Sequence, residues 1–152
     1  MSGLTNAYVE KIGKKILGDI FLGTFPCDFH PNINNMKTFC LVFNLSKHDT
    51  TGTHFVAIFA SKNELIYFDP FGNKLKNKFI LKFIKNNKQN RRFVSSKKCI
   101  QSCSSIFCGF YCLGFLLSQK KKIHIKTYLS IFDKEKLELN DKIIIEFIQN
   151  YI

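Results

Sequence analysis

The chain has 152 residues, of which 45% are hydrophobic, and it carries a formal net charge of +12 at pH 7. This length suits one domain with a real core, since domains of about 100–150 residues are the most common, so we expect residues 1–152 to form one domain. No run reaches the ~18 uncharged apolar residues of a membrane span, and the charged N-terminal segment lacks the apolar core of a secretion signal. We therefore expect a protein that is neither membrane-bound nor secreted, with six cysteines that are mostly free thiols.

The first predicted element is an amphipathic helix that ends at Gly18. Its apolar residues recur on one face at helical spacing. Three strands rich in Phe, Val and Ile are predicted next, at residues 38–45, 53–60 and 65–69, with a polar loop at 46–52. The apolar face of the helix is formed by Leu4, Tyr8, Val9, Ile12, Ile16 and Leu17.

The second half of the chain predicts three helices. After the turn formers at residues 70–72, the spacing of Phe and Ile predicts a helix over residues 79–84, and a short strand is expected at 93–95. Residues 108–117 are apolar on every side, which indicates a helix buried at the centre of the fold. The last helix has Asn140 as its expected N-cap and Asp141 in its first turn.

Cys108 stands at the first position of the central apolar helix. A thiol attacks as the thiolate, which is favoured at a helix N-terminus and beside an imidazolium. Gly109 follows and would let a substrate backbone approach closely. Gln101, seven residues upstream in a Ser-rich loop, is positioned to aim its amide at a developing oxyanion together with the Cys108 amide. The pattern predicts acyl transfer by a cysteine nucleophile.

The imidazole for this chemistry is expected from His54, and the carboxylate that orients it from Asp69 on the next strand. If Ser61 and Lys62 form the hairpin loop, the two residues lie directly opposite each other. If Lys62 and Asn63 form it, they are diagonal neighbours. Either register keeps both side chains on one face of the sheet.

A zinc site is the rival chemistry, because two cysteine pairs have three intervening residues each. Cys108 and Cys112 lie inside the apolar helix, however, and structural zinc sites more often use shorter or longer spacings around turns. We therefore expect no metal and no cofactor for the chemistry, and a packing role for Cys112. The remaining candidate ligands are Cys99, Cys103, His30, His48 and His124.

Four blocks of sequence resemble the adenovirus protease family, in the same order along the chain. They are FLGTF at residues 21–25, GTHF at 52–55, YFDPFG at 67–72 and QSCSSIFCGFYCLGFL at 101–116. The last block keeps a seven-residue offset between its glutamine and its nucleophilic cysteine. The resemblance implies a triad of His54, Asp69 and Cys108, with Gln101 at the oxyanion. The SUMO-specific proteases of the wider clan share this active-site plan.

The resemblance also implies a fold and a biological setting. The fold is α+β, with a mixed, mostly antiparallel sheet flanked by helices and the nucleophilic cysteine at the N-terminus of a buried central helix. The implied activity is cleavage of viral precursor proteins at small-residue, Gly-containing sites during particle maturation, in the host nucleus and the virion, by a monomer. DNA and a short viral peptide are implied activators, and Cys99 is the nearest candidate for a disulfide with that peptide.

The positive charge is concentrated between Pro70 and Phe132, where fourteen Lys or Arg occur without any Asp or Glu. Such a field attracts polyanions, although a solvated basic surface is the simpler explanation. Two alternatives to the viral peptidase therefore stay open: a non-enzymatic nucleic-acid-binding protein and a peptidase that processes ubiquitin-like proteins. The predicted nucleic-acid contacts are Lys74, Lys76, Lys82, Lys85, Arg91, Arg92, Lys97 and Lys98.

Overall fold

The computed structural model describes residues 4–45 and 54–152, so the predicted loop at 46–52, including His48, and the first residue of the predicted strand 53–60 lie outside the described residues. The described residues form five α-helices and five strands. In chain order these are α1 (Asn6–Leu17), β1 (Phe21–Pro26), β2 (Phe39–Asn44), β3 (Phe55–Ala60), β4 (Glu64–Phe68), α2 (Lys78–Asn87), β5 (Arg92–Ser95), α3 (Cys108–Lys120), α4 (Ile125–Ser130) and α5 (Asn140–Gln149).

The strands form one mixed sheet in the order β1-β2-β3-β4-β5. β3 is antiparallel to both of its neighbours, β2 and β4, whereas β1 and β5 run parallel to their neighbours at the two edges. Parallel neighbours need a long connection, which α2 supplies between β4 and β5. The predicted α+β fold is confirmed, but antiparallel pairs make up half of the pairings and not most of them.

The β3–β4 hairpin takes the second of the two predicted registers. Ala60 pairs with Leu65 and Ala57 with Phe68, so Lys62 and Asn63 occupy the loop. Continuing this register makes the positions of His54 and Asp69 diagonal neighbours on one face. The hairpin therefore brings the predicted imidazole, just before β3, next to the predicted carboxylate, just after β4.

Helices cover both faces of the sheet. One apolar cluster includes residues of α1, α3, α4 and α5, and the other, on the opposite face, includes residues of α2. The side chains of α3 are buried from Cys108 to Ser118, as its apolar sequence predicted. Because these side chains are buried, the N-terminus of α3 is held against the sheet. No helix within residues 4–45 and 54–152 is long and apolar enough to cross a bilayer.

Asn140 is the first residue of α5 and does not cap it, so this prediction was wrong. Its side chain is fully buried and turns toward two loops instead of the helix amides. The amide nitrogen donates to Ile100 O at 2.8 Å and Asp133 O at 3.0 Å, and Oδ1 accepts from Asp133 N at 2.7 Å. A buried amide stabilises the fold most when all its polar atoms are paired, and these loop groups satisfy it. Asp141 does lie in the first turn.

Arg91 is a buried structural residue and not the nucleic-acid contact that the sequence predicted. Its side chain is 5% exposed and lies over the Phe39 ring. Nε donates to Ser61 O at 2.6 Å, and Nη2 donates to Met36 O at 3.2 Å and Lys37 O at 2.8 Å. A guanidinium with its donors occupied by backbone carbonyls cannot also bind a phosphate. Arg91 instead ties the β3–β4 hairpin to the segment before β2.

We expect Arg91→Met to lower the free energy of unfolding by about 2–4 kcal/mol, because it leaves several partly buried carbonyls without donors. Arg92→Met is the matched control, since that side chain is largely exposed and pairs with Glu64 at the surface. Its loss should cost no more than ~1 kcal/mol. Urea unfolding of both variants measures the difference. Equal losses would contradict a structural role specific to Arg91.

Candidate active site

Three side chains from separate elements meet at one end of the sheet. His54 directly precedes β3, Asp69 directly follows β4, and Cys108 is the first residue of α3. His54 Nε2 lies 2.8 Å from Asp69 Oδ1. The imidazole also forms a side-chain hydrogen bond with Cys108. Because Asp69 engages Nε2, Nδ1 is the ring nitrogen left for the thiol.

A tight turn at residues 69–72 orients the carboxylate. The Phe71 amide donates to Asp69 Oδ1 at 2.8 Å, and the Gly72 amide donates to Asp69 O at 2.8 Å. Gly72 has a φ of 71°, and a Cβ there would lie 2.7 Å from the Lys98 carbonyl carbon. Only glycine fits both the backbone angle and the close contact. The turn thereby fixes Asp69 against the segment that leads to Gln101.

Phe71 is a site residue that the sequence pattern indicated only as part of a turn. Its ring stacks on the His54 imidazole, with centroids 4.5 Å apart and planes 23° from parallel. The hairpin register could have revealed it, because extending the observed pairing beyond β3 and β4 sets position 71 opposite position 54. The stacked ring limits how far the imidazole can swing away from the thiol.

The surroundings of His54 favour its charged form. Burial alone lowers the pKa, but the hydrogen bonds and charges of Asp69 and Cys108 outweigh it and raise the pKa to about 9. The carboxylate is almost fully enclosed, with 2% of the Asp69 side chain exposed against 14% for His54. At neutral pH the site therefore holds an imidazolium beside Cys108, the arrangement that favours a reactive thiolate.

The raised pKa predicts how stability depends on pH. A histidine whose pKa rises from 6.5 in the unfolded chain to about 9 in the folded one stabilises the fold fully below pH ~6.5, and loses this contribution as pH rises through ~9. In Asp69→Asn we expect the His54 pKa to fall and the stability gap to wild type to be largest below pH ~6.5. NMR titration of the His54 ring measures the midpoint. An unchanged midpoint in Asp69→Asn would contradict the assignment.

Gln101 lies in the same region but donates to the loop before α3. Its amide nitrogen contacts Ser105 O at 3.3 Å and Ser105 Oγ at 3.2 Å. The backbone amides of Ile100 and Gln101 both donate to Pro70 O, which joins this segment to the turn at Asp69. The side chain is 1% exposed, and its Oε1 is buried without a hydrogen-bond partner within the described part of the chain.

Gly109 has a packing role, and the close approach of substrate at this position stays a prediction. A Cβ at this position would lie 2.7 Å from Val9 Cγ2 and 3.2 Å from Leu4 Cδ1. The missing side chain therefore makes room for the N-terminal segment and α1 against α3. The sequence could not distinguish the two uses of glycine, because both require only the absence of a Cβ.

The other cysteines differ in their surroundings. Cys112 is fully buried and donates to Phe55 O at 3.3 Å, in keeping with the predicted packing role. Cys99 and Cys103 are exposed. In the ranges 4–45 and 54–152, no group of three or more His, Cys, Asp or Glu side chains is arranged to hold a metal ion.

The predicted nucleic-acid contacts also divide by environment. Arg92 is exposed but pairs with Glu64 at 2.6 Å, and Lys98 donates to Leu129 O at 3.0 Å. The pKa of Lys98 is lowered by burial and then by the nearby charge of Lys134. The exposed lysines of the predicted set are Lys74, Lys76, Lys82, Lys85 and Lys97.

Comparison with known proteins identifies the family that shares this arrangement. Residues 21–135, which include His54, Asp69, Gln101 and Cys108, match the family described as adenovirus endoprotease. The chain belongs to the adenovirus endoprotease family. The protease of bovine adenovirus 2 is 29% identical over 122 residues, covering 72% of this chain and 58% of that protein. The protease of bovine adenovirus 7 is 26% identical over 111 residues, covering 63% and 54%.

The chain thus spans somewhat over half the length of these adenovirus endoproteases. Solved structures share the fold at lower identity. A crystal structure of an ASFV protease aligns with a TM-score of 0.67 at 18% identity, over 90% of this chain and 64% of that one. AvrA aligns with a TM-score of 0.54 at 13% identity, over 82% and 53%. At such identities these structures support the fold and not the substrate.

Proposed function

We propose that this member of the adenovirus endoprotease family is a viral cysteine endopeptidase. The observation that carries the proposal is the hydrogen-bonded series from Asp69 through His54 to Cys108, with the thiol at the start of a buried helix. A nucleophile, a base and a group that orients the base are the three parts that covalent acyl transfer requires. Membership of a protease family supports the same activity.

In the proposed reaction, the Cys108 thiolate attacks the carbonyl carbon of the scissile peptide bond. The tetrahedral intermediate collapses to a thioester as the C–N bond breaks, and the His54 imidazolium gives its proton to the departing amine. His54 then takes a proton from water, whose oxygen attacks the thioester; the C–S bond breaks, the acid product leaves, and the Cys108 thiolate is restored beside the His54 imidazolium. Asp69 holds the imidazole in the tautomer with its proton on Nε2 and stabilises its charge.

Gln101 is the proposed side-chain donor to the oxyanion, alongside the Cys108 amide. Both hydrogen bonds from the Gln101 amide go to a single residue, Ser105, and both are long. One N–H shared between these two acceptors leaves the second N–H of the amide for the substrate oxygen. Donors of this kind lower the barrier because they are already oriented before charge develops.

The proposed substrates are viral precursor proteins cut at small-residue, Gly-containing sites during particle maturation, in the host nucleus and the virion. The experiment that tests the function compares hydrolysis of Gly-Gly-containing peptides with processing of ubiquitin-like precursors. Cleavage of the peptides and of viral precursor proteins is expected. Preferential processing of ubiquitin-like proteins would favour a peptidase for ubiquitin-like proteins over a viral one. No hydrolysis of any substrate would contradict both peptidase functions.

We also propose that DNA activates the enzyme through exposed lysines. Lys82 and Lys85 lie on the outer face of α2, and Lys74, Lys76 and Lys97 are exposed nearby along the chain. Phosphate contacts make affinity fall steeply with salt, so the binding constant should drop as salt rises from about 50 to 200 mM. Affinity that does not change with salt would contradict this mode. A short activating peptide, bonded through Cys99, is a separate proposal that rests on the family resemblance.

A further inference from the structure

A polar network connects the start of α5 with the loop that precedes Cys108. Ser105 Oγ donates to Asp141 Oδ1 at 2.6 Å, and Tyr111 Oη donates to the same oxygen at 2.8 Å. Ser105 Oγ in turn accepts from Gln101 Nε2 at 3.2 Å and from the Phe107 amide at 3.2 Å. A carboxylate on the last helix is therefore linked, through one hydroxyl, to the side chain proposed to bind the oxyanion.

The directions of these hydrogen bonds follow from what each group can donate. A carboxylate only accepts, so Asp141 takes the single hydroxyl proton of Ser105. With that proton committed, Ser105 Oγ can only accept from Gln101, and Ser105 O is also an acceptor. The nitrogen of the Gln101 amide must therefore face Ser105, and its oxygen must face away. The two ends of the amide have nearly the same shape, so hydrogen bonding alone decides between them.

We infer that Asp141 is a positioning residue that sets the orientation of the Gln101 amide by holding the proton of Ser105. The inference rests on the proposed function, since it assigns Gln101 to the oxyanion. Without the carboxylate, the Ser105 hydroxyl can donate to Gln101 Oε1, and the amide can flip by about 180°. An amide oxygen would then stand where a donor is needed, and it would repel the developing negative charge.

The surrounding contacts hold this arrangement in place. Burial and then the hydrogen bond to Asp141 raise the pKa of Tyr111, so its hydroxyl remains a donor to the carboxylate. The neighbouring residue Asn140 donates to Ile100 O at 2.8 Å, which anchors the chain immediately before Gln101. The first two residues of α5 thus fix the loop at both Ile100 and Ser105. The C-terminal helix contributes to the site although it supplies no reacting group.

The test uses the full chain and two variants that break the same link at different points. Asp141→Ala removes the acceptor, and Ser105→Ala removes the hydroxyl while keeping the bond between Tyr111 and Asp141. Two readouts separate positioning from folding: kcat on a cleaved peptide, and the rate at which iodoacetamide alkylates Cys108. Alkylation develops no oxyanion, so it reports the thiolate alone. Asp19→Ala is the matched control, an exposed aspartate outside the network.

Asp141→Ala is expected to lower kcat by about 10- to 100-fold, with KM and the alkylation rate within about twofold of wild type. Ser105→Ala should lose less kcat, because no hydroxyl remains to donate to Gln101 Oε1 and Ser105 O still accepts from the amide nitrogen. Asp141→Asn, which keeps an acceptor oxygen, should restore most of kcat, and Asp19→Ala should resemble wild type. The inference is overturned if Asp141→Ala retains full kcat, if Ser105→Ala loses as much kcat as Asp141→Ala, or if alkylation falls together with kcat.

A readout that does not depend on hydrolysis separates this inference from the proposed function. The side-chain amide signals of Gln101, assigned by NMR with a Gln101→Glu variant, should shift in Ser105→Ala and in Asp141→Ala. If no substrate is cleaved but these signals shift, the proposed function fails and the positioning of the amide stands. If the signals do not shift, the positioning fails even in an active enzyme.

Discussion

Cys108→Ala is expected to abolish peptide hydrolysis, with a loss of kcat of at least about 10⁴-fold. The substitution removes the sulfur atom that forms the thioester, and the remaining oxyanion donors cannot replace a nucleophile. Folding should survive, because alanine fits a helix and Cys108 is a small buried residue at the first position of α3. Steady-state kinetics on a Gly-Gly-containing peptide, with circular dichroism on the same samples, measures both effects.

Cys103→Ala is the matched control, since it removes a thiol five residues earlier on an exposed part of the loop. It should retain kcat within about twofold, because surface substitutions away from the site have small effects. A Cys108→Ala variant that still hydrolyses peptide, or a Cys103→Ala variant that does not, would show that the nucleophile has been misassigned.

His54→Ala is expected to have the second-largest effect, a loss of kcat of about 10³-fold or more. The variant removes both the proton acceptor for the thiol and the acid that protonates the departing amine. Because His54 and Cys108 act as a unit, the two fold losses of kcat should not multiply, and the double variant should be no slower than Cys108→Ala alone. His124→Ala is the control, since this exposed histidine only caps α4.

Kinetics of the single and double variants on one peptide provide the measurement. The account is contradicted if the losses multiply, because independent contributions would mean that the histidine does not serve the cysteine. It is also contradicted if His124→Ala matches His54→Ala, since a general loss of stability would then explain both. Thermal unfolding of each variant distinguishes these cases.

The sequence predicted the parts of the fold that depend on periodic patterns. The apolar stripe of α1 ended at Gly18 as expected, and the all-apolar run after Cys108 formed the buried helix α3. Two registers of the β3–β4 hairpin stayed open because both loops are compatible with the local residues. Only packing of the whole sheet selects between them. Strand β1 was not predicted as a strand, since Gly23 and Pro26 are residues that strands disfavour.

The candidate site was predictable where the signal is local and unpredictable where it is not. His54, Asp69 and Cys108 meet as their spacing and the family resemblance implied, although their catalytic roles stay predictions. The burial of Arg91 and the loop contacts of Asn140 depend on carbonyls far away in sequence. The stacking of Phe71 on His54 likewise needs the exact hairpin register. No pattern within a short window carries such information.

The central claim is that His54 makes Cys108 a reactive thiolate, and pH-dependent alkylation tests it most directly. Iodoacetamide labelling, mapped by mass spectrometry, follows each cysteine separately in wild type and in His54→Ala. We predict that Cys108 reacts fastest at about pH 6–7 in wild type and loses this advantage in the variant, while Cys99 and Cys103 behave alike in both. If Cys108 is inert, or reacts no faster than Cys99 and Cys103, or keeps its rate without His54, the claim is contradicted.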